Sequence, residues 1–311
     1  MAGRRGAAEG VPMELPPLLT VRSAARLALT EDQLRGPRFR RLHRGVYAPA
    51  GRDPTLAERA AAALLVLPRD GVITGITALH LHGVEIGTAY PIRVATATSG
   101  QTRRSGIRLA RTAELPDAHG RIARPVAAWL TACAEYDLVQ AVAAADWLIR
   151  LHRATPTQFV DAAAQAGGRG CRLARRAAAL ARPEVDSPKE TEVRLLLVLA
   201  GLPEPRCNPR IGTEREPIGR MDLVLDPYRL IAEYDGEQHR TDPWQWSRDI
   251  ARHEAAVNAG YTIIRITAGR MLHPREIANT VYLRLAERGY AGPPPAFTPE
   301  WRALFESNRR M

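Results

Sequence analysis

Lysine is almost absent from this sequence. Lys189 is the only one in 311 residues, so arginine carries the positive side of a chain whose net charge is +11. Aromatic residues make up only 5%. That scarcity, with Ala and Leu dominating the apolar set, disfavours an all-β sandwich and favours helix-rich packing. There are three cysteines, Cys133, Cys171 and Cys207, odd in number and widely spaced. They form neither a disulfide framework nor a metal-ligand spacing, so a reducing cytoplasm is expected. No apolar run reaches the ~18 residues of a membrane span. Residues 1–17 lack the hydrophobic core of a signal peptide and read as a disordered lead-in. No internal repeat or low-complexity tract is found.

What is present divides into segments. The length suits about two domains, and 45% hydrophobic residues supply a core. Residues 18–54 read as a small winged-helix-like unit. Leu18 to Leu29 looks helical, Thr30 caps a second helix, Gly36 and Pro37 break it, and a basic strand pair follows up to Pro49. Within it Arg35, Arg38, Arg40, Arg41 and Arg44 lie in one stretch without an acid, a patch able to neutralise several phosphates. A solvated basic surface is the plain alternative. Residues 55–182 read as a helix-rich α+β middle region, with helices at Thr55–Leu67, Val72–Leu81 and Pro125–Arg150 and strands at Ile92–Thr98 and Gly106–Arg111. The polar run from Pro183 to Pro188, bounded by its two prolines, marks a boundary, and residues 291–311 form a tail.

Residues 183–290 carry the chemistry. Ser187 has the position of an N-cap, with Pro188 at the first helical position and Glu190 at the capping-box spacing. Two apolar strands follow, Met221–Leu225 and Leu230–Asp235, joined by Asp226-Pro227-Tyr228-Arg229. Pairing Asp226 with Arg229 sets Asp222 directly opposite Glu233, on one face with Cβ atoms ~4.5–5.5 Å apart; a bulge at this turn, where Pro227 does not suit the primed hairpin types, would shift the register by one. Asp235, two residues on, shares that face. Carboxylates so crowded repel unless a cation neutralises them. Oxygen ligands of this kind suit Mg²⁺ or Mn²⁺. An exposed acidic turn is the plain alternative. His239 could deprotonate water or be an ordinary surface histidine. Trp244 and Trp246 could stack on bases or pack. Asp249 to Ala259 reads as a helix, Tyr261–Thr267 as a third strand and Pro274–Arg288 as a last helix. Helix, strand, strand, helix, strand, helix is the order of a mixed sheet flanked by helices.

Five segments in order, Ser187-Pro188-Lys189-Glu190-Thr191, Arg220-Met221-Asp222-Leu223, Glu233-Tyr234-Asp235-Gly236-Glu237-Gln238-His239, Asp249-Ile250-Ala251-Arg252 and Gly260-Tyr261-Thr262-Ile263-Ile264-Arg265, resemble the DUF559 family. That family is similar to the very-short-patch-repair endonucleases and has the PD-(D/E)XK restriction-endonuclease-like fold. The match covers about one third of the chain. It implies metal-dependent cleavage of DNA, with Asp222 and Glu233 as the metal-binding acids and Glu190 as the acid of the first helix. Where that motif has lysine, two residues after the second acid, this chain has Asp235. An aspartate there could bind metal, but His239 or an arginine such as Arg252 would have to supply the missing charge. The stretch Leu42-His43-Arg44-Gly45-Val46-Tyr47-Ala48-Pro49 resembles the wing of AbiEi-type antitoxins, which implies DNA binding.

The expected fold class is therefore α/β. A restriction-endonuclease-like mixed sheet flanked by helices lies at the C-terminal end. A mostly helical α+β region with a winged-helix-like unit precedes it. The expected function is a Mg²⁺- or Mn²⁺-dependent DNA endonuclease. Glu190, Asp222, Glu233 and Asp235 would hold the metal, His239 would assist, and Arg38, Arg40, Arg41, Arg44 and Arg252 would meet DNA. The alternative is a non-catalytic, antitoxin-like DNA-binding regulator with a degenerate nuclease fold. Whether a toxin or repair partner exists is left open.

Overall fold

The structure is a computed structural model that describes residues 15–99, 102, 104–214, 216–235 and 243–307, with the side chains of 243–247 outside the described set. Most of the expected lead-in, the turn from Gly236 onward, His239 and the Trp244 and Trp246 side chains therefore lie outside the described residues. The chain is mixed α/β and divides into two compact units, Met1–Thr77 with Thr88–Ala123, and Ala78–Gly87 with Arg124–Met311.

The first unit opens with β1 (Leu19–Thr20), α1 (Val21–Ala25), α2 (Glu31–Arg35), β2 (Phe39–His43) and β3 (Val46–Pro49). Thr20 and Thr30 each cap a helix, with Ser23 and Gln33 bonding back. The expected helix from Leu18 is shorter because Leu19 and Thr20 pair with Tyr47 and Val46. The antiparallel sheet runs β1-β3-β2. Leu19, Ala24, Leu34, Phe39 and Tyr47 form its core.

After α3 (Leu56–Leu65), capped by Thr55, the expected helix from Val72 begins late. Val72 and Ile73 form β4, and α4 (Gly75–Leu81) starts only at Gly75, which turns the chain at a φ of +55°, a conformation that glycine adopts readily. Then come β5 (Ile92–Thr96), β6 (Ile107–Arg111), β7 (Ala118–His119) and β8 (Ile122–Ala123). The sheet order is β6-β5-β4-β8-β7, with β5–β6 and β4–β8 parallel.

The second unit begins with α5 (Pro125–Ala132), α6 (Leu138–Arg150), α7 (Pro156–Gln165) and α8 (Cys171–Leu180). The single helix expected from Pro125 to Arg150 is two, because Asp137 N-caps α6. Next are α9 (Pro188–Val198), β9 (Arg206–Cys207), β10 (Arg210–Gly212), β11 (Pro217–Arg220), β12 (Leu223–Leu225), β13 (Leu230–Asp235), α10 (Pro243–Asn258), β14 (Thr262–Thr267), α11 (Pro274–Ala286) and α12 (Pro299–Phe305).

The four-stranded sheet runs β14-β13-β12-β9. Only β13 and β14 pair in parallel, and α10 makes the crossover that parallel pairing needs. Residues 183–290, read from the sequence as a unit, lie within this larger one. Asp146 of α6 and Arg194 of α9 form an ion pair at 3.0 Å, with both side chains buried. The stretch read as a tail contains α12, whose buried Trp301 donates from Nε1 to Leu196 O at 2.9 Å.

Candidate active site

The β12–β13 hairpin pairs Leu223 with Ala232, Val224 with Ile231 and Leu225 with Leu230. Continued by one pair, this register sets Asp222 opposite Glu233, as the turn chemistry predicted. Asp226–Tyr228 forms a 3-10 turn, and Arg229 closes it in the left-handed region at a φ of 44°. Val224 and Ile231 pack with Ala256 of α10, Ile211 and Met221. Side chains alternate between the faces of a strand. The face bearing Val224 and Ile231 therefore also bears Glu233, and α10 lies over it; Asp222, just before β12, feels the charges of Glu233 and Arg252.

That helix supplies two residues. The His253 ring nitrogen Nε2 is hydrogen-bonded to Glu233 Oε2. The Arg252 guanidinium lies 3.8 Å from Glu233 Oε1 and 3.3 Å from Asp249. Arg265, paired in register with Glu233 across the parallel ladder, meets His253 Nδ1. A guanidinium can only donate. The Nδ1 it meets is therefore the bare nitrogen, and Nε2 carries the hydrogen given to Glu233. Room for Arg252 is made at Gly219, where a Cβ would stand 3.0 Å from the Arg252 side chain.

The carboxylates are held under electrostatic stress. Among the described residues Asp222 accepts one bond, from the Tyr234 amide at 2.9 Å. Burial raises its pKa to about 7, and the charges of Glu190 and Glu233 add to the rise; the Tyr234 amide and Arg252 oppose it. Glu190 is buried, which pushes its own pKa up. It accepts from the Asp186 amide at 2.9 Å and from the Asn208 side chain. The sequence suggested a carboxylate folding back on Ser187; it reaches Asp186 instead, while Ser187 still caps Glu190 N at 3.2 Å. Glu233 is buried too, and its Oε1 has no hydrogen-bond partner among the described residues.

The structure thus brings together Asp222, Glu233, Glu190 and Arg252. Asp235 ends β13 opposite Thr267; the acids acting on Asp222 are Glu190 and Glu233. Two residues escaped sequence reasoning. His253 is a lone helical histidine, and only its place directly after Arg252 could have singled it out. Asn208 sits in the left-handed region at a φ of 48°, which asparagine tolerates better than most. Its amide donates to Asp222 O at 2.6 Å while its side chain holds Glu190.

The donor chemistry at Asp222 and Glu233 fits a hard divalent cation. Both are carboxylates, one has an unpartnered buried oxygen, and the charge of Glu233 bears on Asp222. Among the described residues no three His, Cys, Asp or Glu side chains form a metal-holding group. The fit therefore concerns a pair of protein ligands.

In the first unit Arg38, Arg40, Arg41 and Arg44 are all exposed. Arg40 is paired with Asp53. Arg38, Arg41 and Arg44 form no ion pair among the described residues. Arg252 instead lies at the acids of the second unit.

Comparison with known proteins gives distant relatives. The chain is 28% identical over 227 residues to two Mycobacterium tuberculosis proteins titled uncharacterized, one from strain CDC 1551 / Oshkosh and one from strain ATCC 25618 / H37Rv. The match covers 71% of this chain and 83% of each relative. No family model matches the chain. No solved structure matches it. Among the described residues no helix is long and apolar enough to cross a membrane.

Proposed function

We propose that the second unit is a Mg²⁺- or Mn²⁺-dependent DNA endonuclease of the PD-(D/E)XK, restriction-endonuclease-like kind. The observation that carries the reading is the state of Asp222, whose pKa is pushed up to about 7 by burial and by two neighbouring acids. A carboxyl group so placed resists ionisation in the free protein and gains most when a cation arrives. Asp222 and Glu233 would hold the ion, which when bound polarises a phosphate oxygen and acidifies a water. Glu190 adds negative charge behind Asp222 and, through Asn208, fixes the backbone that carries it.

Arg252 is the residue we assign to the place of the absent motif lysine. Its guanidinium is anchored beside Glu233 and cannot deprotonate in this range. It therefore stabilises developing negative charge but takes no proton. The hairpin arginines Arg38, Arg41 and Arg44 would dock DNA phosphates in a winged-helix-like first unit, and a reducing cytoplasm suits the whole.

The test is a Mn²⁺-dependent nicking assay on supercoiled, mismatched and single-stranded DNA, run beside Asp222→Ala and Glu233→Ala. The wild-type chain nicks, and both variants are silent yet folded. One observation favours the non-catalytic regulator: His253 occupies one oxygen of Glu233 while Arg252 faces the other. On that reading DNA binding needs no metal, survives Asp222→Ala, and no preparation nicks.

A further inference from the structure

We propose that the groove beside β14 is a second DNA-backbone site, which carries the strand away from the acids. The proposal rests on the nuclease reading for its choice of ligand. The groove has a volume of about 700 Å³ and is lined by residues of α10, β14 and α11 and by Arg270, which follows β14. Its charged lining is Arg265, Arg270 and Arg284, with no carboxylate among the lining residues. Such a wall of one sign attracts an anion.

The placement of this charge follows from the fold. β14 is the edge strand of its sheet, and its Ile264 and Ile266 are buried while Arg265 is exposed. Arg265 stands in register with Glu233, and His253, which bonds Glu233, lines the groove, so the groove lies one residue away from the acid. Arg270 is fixed by donating from Nη1 to Arg265 O, a carbonyl that leaves its charge uncancelled. Arg284 pairs with Glu287 in an exposed bridge at 2.8 Å, an arrangement worth little in water and readily exchanged for phosphate.

Ile263 and Val257, the latter 56% exposed, add apolar surface to the same groove. A polyanion with apolar sugars between its charges matches both features. We assign the groove to one phosphodiester strand of DNA.

The test uses the full chain in EDTA, so that cleavage plays no part. Binding to a fluorescein-labelled duplex is followed by anisotropy across a salt series. Arg270→Ala/Arg284→Ala is compared with Arg169→Ala/Arg172→Ala, which removes the same charge from exposed positions elsewhere in the second unit. Losing two phosphate contacts should lower the slope of log K against log salt by about 1.8. The control pair should keep the wild-type slope. If the double variant fails to fold, Arg284→Ala alone carries the test, with a fall of about 0.9.

A groove variant with the wild-type slope, or a control that loses as much, overturns the proposal. The nuclease reading is judged separately by the nicking assay. A chain that nicks while its groove variant keeps the full slope loses only the groove. A chain that never nicks while its groove variant loses slope keeps the groove and loses the nuclease.

Discussion

Asp146 and Asp222 are both acids of the second unit whose pKa is raised by burial, yet their surroundings are opposite. Asp146 is surrounded by donors. Arg194 Nη2 reaches it at 3.0 Å, Thr191 Oγ1 at 2.8 Å and the Arg182 amide at 2.7 Å. Arg194 in turn meets Glu204 at 3.1 Å and Leu180 O at 2.9 Å. Among the described residues Asp222 has one amide and two like-charged neighbours. A carboxylate matched by donors joins helices, here α6 to α9. A carboxylate set among other carboxylates costs stability, a cost that the proposed cation would offset.

The largest effect should fall on the matched acid. Asp146→Ala takes from the buried Arg194 guanidinium its one fully buried partner and leaves it only Glu204, and stability should drop by about 3–5 kcal/mol in urea denaturation. A loss below ~1 kcal/mol would erase the contrast. Next comes activity. Glu233→Gln should cut Mn²⁺-dependent nicking by about 100-fold or more, roughly 2.7 kcal/mol of barrier, with little change in the urea midpoint. Equal damage to folding would reduce Glu233 to a second Asp146.

Acidity sharpens the comparison further. The native Asp222 carboxyl titrates near 7 against an ordinary 3.8. Below about pH 4 both folded and unfolded chains hold the proton. Between about pH 4 and 7 only the folded chain does, so stability falls as pH rises and the loss is complete above about 7. Asp222→Asn should remove much of that fall. In chelator at about pH 8 it should be the more stable protein, by about 2 kcal/mol once partial solvent access is allowed for. An unchanged pH profile would mean that Asp222 is not under stress.

The smallest effect belongs to the first unit. Arg41→Ala/Arg44→Ala should leave stability within about 0.5 kcal/mol. It should flatten the salt dependence of DNA binding by about 1.8 in slope. A loss of folding instead would make the hairpin arginines structural.

Much of the second unit was legible in the sequence because its signals are local. Asp226 with Pro227 defines a turn, and the turn sets the pairing that puts Asp222 opposite Glu233. Ser187, Pro188 and Glu190 announce a helix start. What was not legible is tertiary. The contact between His253 and Glu233 needs α10 laid over β13, and no residue spacing encodes it. Asn208 belongs to a short segment before β10 that carries no periodic signal. The expectation of helix misled at Val72–Ile73, two β-branched residues that pair with Ala95 and Val94 as their strand preference favours. It misled again at residues 133–137, where the Asp137 cap starts a new helix within an Ala-rich run.

The central claim is that Asp222 and Glu233 share one divalent cation. Calorimetric titration of Mn²⁺ into the full chain at about pH 8 tests it directly, with Asp222→Asn and Glu233→Gln alongside. A site that is filled in the wild-type chain and lost in each variant is the predicted result. Equal Mn²⁺ uptake by all three proteins, or none by the wild type, would contradict it.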